Sequence, residues 1–275
     1  MPISRRSTIA GAASVGLVAT PADARGRRRG KVTFILVHGS FLGGWIWSPV
    51  AAHLQRSGHR VFHPSMTGCG DRRHLLNEGV GLQTHIDDVR NLIAFEGLSD
   101  VVLVGHSFAG ITITGVANQM GEKLRGLIFY DAFVPTRARP AWVMPDASGR
   151  YSEAWIARTK KFVNGYGMNF HDFYPMEMLV PADNADVGAF VRARLTPHPM
   201  KQWTDPVSFS NGGWERARRI YIQPTRQTVQ PSSEAMWGPA KGEGWDFCAL
   251  AVPRLGMLTD PALFAEALES AAFSL

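Results

Sequence analysis

The chain has 275 residues, 45% of them hydrophobic and 19% charged, which describes a folded protein with a core and excludes a disordered or low-complexity chain. Much of the formal charge of +6 comes from Arg25, Arg27, Arg28, Arg29 and Lys31, and no basic-aromatic pattern of a nucleic-acid surface accompanies it. Cys69 and Cys248 lie far apart and outside any C-x-x-C pair, which supports neither a zinc ribbon nor a redox motif and leaves a single disulfide open.

The N-terminus reads as an export signal. Ser4-Arg5-Arg6-Ser7-Thr8 precedes an uncharged run from Ile9 to Thr20, and Ala22-Asp23-Ala24 follows as an A-x-A cleavage pattern. Residues 1–24 are therefore expected to be a cleaved twin-arginine signal and residues 25–31 a basic flexible tail. The mature protein is expected to be periplasmic or secreted by a bacterium. The uncharged run is too short for a span, so no stable membrane insertion is expected.

Val32 to Val37 is the first continuous apolar strand, and it runs into the glycine-rich His38-Gly39-Ser40-Phe41-Leu42-Gly43-Gly44-Trp45. Open α/β sheets place their ligands at such turns, beyond the C-terminal ends of strands. A helix is expected from Trp47 to Gln55, ended by Gly58, and a short strand from Arg60 to His63. Leu82, Ile86, Val89 and Ile93 recur at helical spacing with polar residues between them, the pattern of an amphipathic helix.

Val101 to Val104 then meets Gly105-His106-Ser107-Phe108-Ala109-Gly110, with a helix expected to about Met120. In a nucleophile elbow, a serine sits on a strained turn between strand and helix with its hydroxyl clear of the sheet. Small residues flank it because the two backbones nearly touch. The usual G-x-S-x-G has Ala109 in its fifth position here, with Gly110 one place later. The plainer alternative is an ordinary strand-to-helix turn with a capping serine.

Leu127 to Tyr130 is another buried strand, followed by Asp131-Ala132-Phe133-Val134-Pro135. From residue 136 to 217, prolines, aromatics and charges are mixed, with short helical stretches at Glu153 to Val163 and Val187 to Arg194. This segment is expected to be a partly helical cap inserted between two core segments, 32–135 and 218–275. Arg219 to Ile222 and Trp245 to Val252 resume the strand pattern. Asp260 is expected to cap a final helix that starts at Pro261.

Strands alternating with helices imply an α/β fold with a mostly parallel, doubly wound sheet. Arg73 stands where the third glycine of a Rossmann fingerprint would fall, and no P-loop is present, so no nucleotide cofactor is expected. H-E-x-x-H is absent. His59 and His63 on one strand would stand ~13 Å apart, too far to share an ion, so no metal is expected either.

The loop from His38 to Trp45, Pro64-Ser65-Met66-Thr67-Gly68, Thr84-His85-Ile86-Asp87-Asp88-Val89, the elbow, and Asp131 to Pro135 occur in series. Together they resemble the α/β-hydrolase superfamily, specifically its small esterase and hydroxynitrile-lyase-like branch with an H-G-x-x-x-G-G-W loop. The resemblance covers residues 32–135 well and the remainder in outline. It implies that Ser107 is the nucleophile, that the backbone N–H groups of Ser40 and Phe108 form an oxyanion hole, and that His38 and Trp45 border the substrate. In this fold the acid follows either of two strands. One place is Asp131; the other, near Gln227, holds no carboxylate.

The resemblance also places a histidine just before the final helix. Here Pro253-Arg254 stands at that point, and no histidine follows His198. A guanidinium does not give up its proton near neutral pH and cannot serve as a general base. His38, His74, His85, His106, His171 and His198 remain as candidate bases. Three functions follow. The first is a serine hydrolase acting on a small ester or lactone with a weakened or altered base. The second is a ligand-binding protein on a hydrolase fold. The third is a hydroxynitrile-type lyase, which also needs the histidine. Trp45, Trp47, Phe133, Trp142, Phe162, Phe170, Phe173 and Tyr174 suggest an apolar or aromatic pocket.

Overall fold

A computed structural model describes residues 30–226, 237–242 and 244–275. The expected signal, nearly all of the basic tail, and Gln227 lie outside the described residues. The central sheet contains β1 (Thr33–Val37), β2 (Arg60–Phe62), β3 (Val101–His106), β4 (Leu124–Tyr130), β7 (Arg219–Pro224) and β8 (Trp245–Leu250). Their order is β2-β1-β3-β4-β7-β8, and every pair is parallel. All six residues of β3 are buried, as expected for a strand covered on both faces and built from Val and Leu.

Helices connect the strands: α1 (Ser48–Arg56), α2 (Leu82–Phe95), α3 (Ala109–Met120) and, at the C-terminus, α8 (Gly256–Thr259) and α9 (Pro261–Ser274). The buried positions of α2 include Leu82, Ile86, Val89 and Ile93, the apolar series visible in the sequence. β4 begins three residues before the expected Leu127. Leu124 and Gly126 pair with β3 across an irregular register, while Arg125 between them reaches Asp100. A charged residue in an otherwise apolar run hid this start.

The expected cap of Asp260 on the last helix is not formed. The helix does start at Pro261, but the Asp260 carboxylate accepts from the Thr259 hydroxyl at 2.5 Å and faces Arg226 at 3.5 Å. It is drawn to those partners instead of the first-turn amides.

Between β4 and β7 the chain forms α4 (Glu153–Thr159), α5 (Ala185–Arg192), α6 (Lys201–Thr204), α7 (Gly213–Arg216) and a two-stranded antiparallel pair, β5 (Gly167–Met168) and β6 (His198–Pro199). This segment is tied to the loop after β1. The Thr196 amide donates to the Phe41 carbonyl at 3.0 Å, and Trp203 Nε1 donates to Ser40 Oγ at 3.1 Å. Cys69 and Cys248 are both free thiols. Among the described residues, no helix is long and apolar enough to cross a membrane.

Candidate active site

The turn after β3 has the strained geometry expected of an elbow. Ser107 adopts φ 55°, the left-handed region that a non-glycine residue enters only where its surroundings enforce it. Two bonds enforce it here: the Ser107 amide donates to the Tyr130 carbonyl at 3.1 Å, and the Phe133 amide donates to the Ser107 carbonyl at 2.9 Å. The glycine that the close approach demands is Gly110, where a Cβ would lie 2.0 Å from the Phe133 carbonyl oxygen. Ala109 takes the usual glycine position without difficulty because the crowded site has moved one residue on.

Asp131 follows β4 directly and is also left-handed, with φ 42°. Its side chain is buried and pairs with Arg254 Nη1 through Oδ2. The other guanidinium nitrogen, Arg254 Nη2, donates to Ser107 Oγ at 2.6 Å. Arg254 thus bridges the serine and the carboxylate. The loop carrying it is held in place by Tyr130, whose hydroxyl donates to the Pro253 carbonyl at 2.7 Å. Three residues distant in sequence, at positions 107, 131 and 254, meet at the C-terminal edge of the sheet.

The candidate bases do not fill the gap. His106 borders the cavity, but its ring is buried, packs near Trp47 and Tyr130, and makes no hydrogen bond among the described residues. Burial, with the Arg254 charge nearby, holds it well below the usual imidazole pKa. His85 is bonded to the Thr67 carbonyl at 2.9 Å, and His198 sits against the Cys69 thiol at 3.8 Å. His74 and His171 are exposed, and neither borders the cavity.

His38 does not border the cavity and is held by hydrogen bonds within the loops around it. Its Nδ1 bonds the Gly39 carbonyl at 2.8 Å and its Nε2 accepts from the Met66 amide at 3.0 Å, so the ring staples the loop after β1 to the loop after β2. Burial lowers its pKa to about 4. Trp45 is likewise not among the residues bordering the cavity; its ring lies 5.5 Å from Phe190.

Ser107 opens on a cavity of about 100 Å³. Phe41, Trp142, Phe170, Tyr174 and Trp203 supply its aromatic walls, with Leu42, Met178 and Leu179 beside them. Of the aromatics singled out in the sequence, Trp142, Phe170 and Tyr174 reach it, while Trp47, Phe133, Phe162 and Phe173 pack elsewhere. Phe41 and Trp203 were missed because their role depends on a contact between the β1 loop and a segment some 160 positions later; the only local signal was the loop motif around Phe41.

Ser40 and Phe108 border the same cavity, and neither backbone amide donates to a protein group among the described residues. Phe108 precedes α3, whose N-terminal amides and dipole favour negative charge. The Trp203 bond to Ser40 Oγ fixes the first of these donors in place.

A parallel sheet with a serine elbow, two unengaged amides and a carboxylate after the next strand is the architecture of an α/β hydrolase. The chain belongs to the alpha/beta hydrolase family, whose profile matches residues 34–267. It is 38% identical over 196 residues to the carbendazim hydrolyzing esterase of Nocardioides sp. (strain SG-4G), spanning 69% of this chain and 78% of that protein. It is 27% identical over 222 residues to methylesterase 1 of Arabidopsis thaliana, spanning 75% and 82%. Among solved structures, an extracellular alpha/beta-hydrolase from a Paenibacillus species shares the fold, with a TM-score of 0.71 at 22% identity, covering 87% of this chain and 98% of that one.

Proposed function

We propose that this protein hydrolyses small carboxylic esters or lactones through an acyl-enzyme on Ser107. The observation that carries this reading is the convergence, on one aromatic-walled cavity, of a strained serine with two amides that are unengaged among the described residues. Attack on a substrate carbonyl moves negative charge onto its oxygen. Two preorganised N–H donors there strengthen as that charge develops, and one such donor contributes about 3–4 kcal/mol in measured cases. The 38%-identical relative named a carbendazim hydrolyzing esterase supports an ester-hydrolase reading, and the aromatic walls suit an apolar substrate. Residues 136–217 act as the cap, contributing Trp142, Phe170, Tyr174 and Trp203 to those walls.

A second reading is a binding protein that holds such a ligand without turning it over. Arg254 favours it, because a hydrogen-bond donor stands where a serine hydrolase needs an acceptor. Turnover of phenyl esters of short-chain acids separates the two. The hydrolase reading expects release of the phenol by the wild type and its loss in Ser107→Ala. Thermal stabilisation by an ester without any turnover would establish the binding reading instead.

A further inference from the structure

The hydrogen bond at Ser107 runs in the opposite direction from the one a general base would make. A base accepts the serine proton; Arg254 Nη2 donates to Ser107 Oγ. A guanidinium carries only N–H donors and has no acceptor to offer the serine proton. The neutral hydroxyl therefore has its lone pair engaged by a cation and, among the described residues, donates to no acceptor. Its alkoxide, in contrast, would gain a charge-assisted bond from a group already oriented by Asp131. From this geometry, and resting on the hydrolase reading above, we propose that Arg254 is a catalytic residue that stabilises the Ser107 alkoxide, and that solvent hydroxide supplies the missing base.

The steps balance without a protein base. Hydroxide removes the Ser107 proton and becomes water. The alkoxide forms a bond to the carbonyl carbon, and the carbonyl electron pair moves to the oxygen facing the Ser40 and Phe108 amides. Collapse of that adduct breaks the bond to the leaving oxygen, which departs as an anion. A second hydroxide attacks the acyl-enzyme, the acid is released, and the Ser107 alkoxide leaves under the same Arg254 donor and regains a proton from water.

Three consequences distinguish this from a site with a working histidine. The acylation rate follows hydroxide concentration, rising about tenfold per pH unit without levelling near neutrality. No side chain protonates the leaving group, so phenol esters react and simple alkyl esters lag far behind. Deacylation must expel the serine alkoxide, a far poorer leaving group than a phenolate, with no general acid to help, so the acyl-enzyme accumulates. Asp131 acts as a positioning residue, since it is buried and holds the guanidinium at the serine.

The test is the pH dependence of acylation by p-nitrophenyl acetate, from pH 6 to 9.5, in the full-length chain. Five proteins are compared: wild type, Ser107→Ala, Arg254→Lys, Arg254→His, and the double variant Asp131→Asn/Arg254→Met, which removes both charges of the pair. The wild type is expected to rise with unit slope. Arg254→Lys is expected to keep that slope and most of the rate, and Arg254→His to introduce a plateau above about pH 7, as an imidazole base requires. The double variant is expected to keep the slope but fall about 10- to 100-fold, the size of a charge-assisted hydrogen bond lost in the transition state. A wild-type profile that levels off between pH 6 and 8, or a double variant as fast as wild type, overturns the role of Arg254. Acylation unchanged in Ser107→Ala overturns the hydrolase reading itself, so the two failures are told apart.

Discussion

Replacing Arg254 with methionine tests the energetics of the site apart from its chemistry. Arg254 and Asp131 are both buried, at 9% and 1% exposure, so neither charge is well solvated. Methionine replaces the aliphatic stem but leaves the Asp131 carboxylate buried without the guanidinium. Breaking a buried pair by removing one partner costs about 3–5 kcal/mol, because the remaining buried charge loses its opposite charge. For a domain of this size each kcal/mol moves the melting temperature about 2–4 °C, so Arg254→Met is expected to melt about 6–20 °C lower. The double variant Asp131→Asn/Arg254→Met is expected to recover much of that loss, since it buries an amide in place of an ion. Thermal melts and urea midpoints of wild type, both single variants and the double variant measure the coupling directly. A single variant as stable as wild type, or a double variant no better than Arg254→Met, would refute a buried, mutually dependent pair.

Three further outcomes are expected. Gly110→Ala places a Cβ 2.0 Å from the Phe133 carbonyl oxygen, which as backbone has little room to yield, and should cost about 3 kcal/mol by urea unfolding. Trp203→Phe removes the bond to Ser40 Oγ while keeping an aromatic wall, and should lower kcat/KM about tenfold while costing only about 1 kcal/mol by urea unfolding. His38 is buried neutral, with its pKa lowered from 6.5 to about 4. Its contribution is therefore intact above about pH 6.5 and is lost as pH falls toward 4, worth up to about 3 kcal/mol. Urea midpoints between pH 7 and pH 4 should drop more steeply in wild type than in His38→Gln.

Elements whose residues speak locally were legible in the sequence. The unbroken Val and Leu of β3, the periodic apolar face of α2 and the small residues around Ser107 each reflect a constraint acting within a few positions. Arg254 was also visible, as a departure from the family pattern just before α8. That its guanidinium lies between Ser107 and Asp131 was not, because this depends on how the 251–255 loop is pinned by Tyr130 on another strand. The same reason hid Phe41 and Trp203, which become cavity walls only through a contact between distant segments. His38 and Trp45 lie off the cavity, where a conspicuous motif residue serves the loop's own shape: His38 bonds Gly39 and Met66, and Trp45 packs near Phe190. Asp260 misled because a capping residue type was claimed by Thr259 and Arg226.

The central claim is that Ser107 becomes covalently acylated. Mass spectrometry of the wild-type chain, quenched in acid after brief exposure to p-nitrophenyl acetate at neutral pH, tests it most directly. An acetyl group is expected on the peptide containing Ser107, approaching one per molecule, and none on that peptide in Ser107→Ala. An unmodified Ser107 peptide in a preparation that releases p-nitrophenol would contradict it.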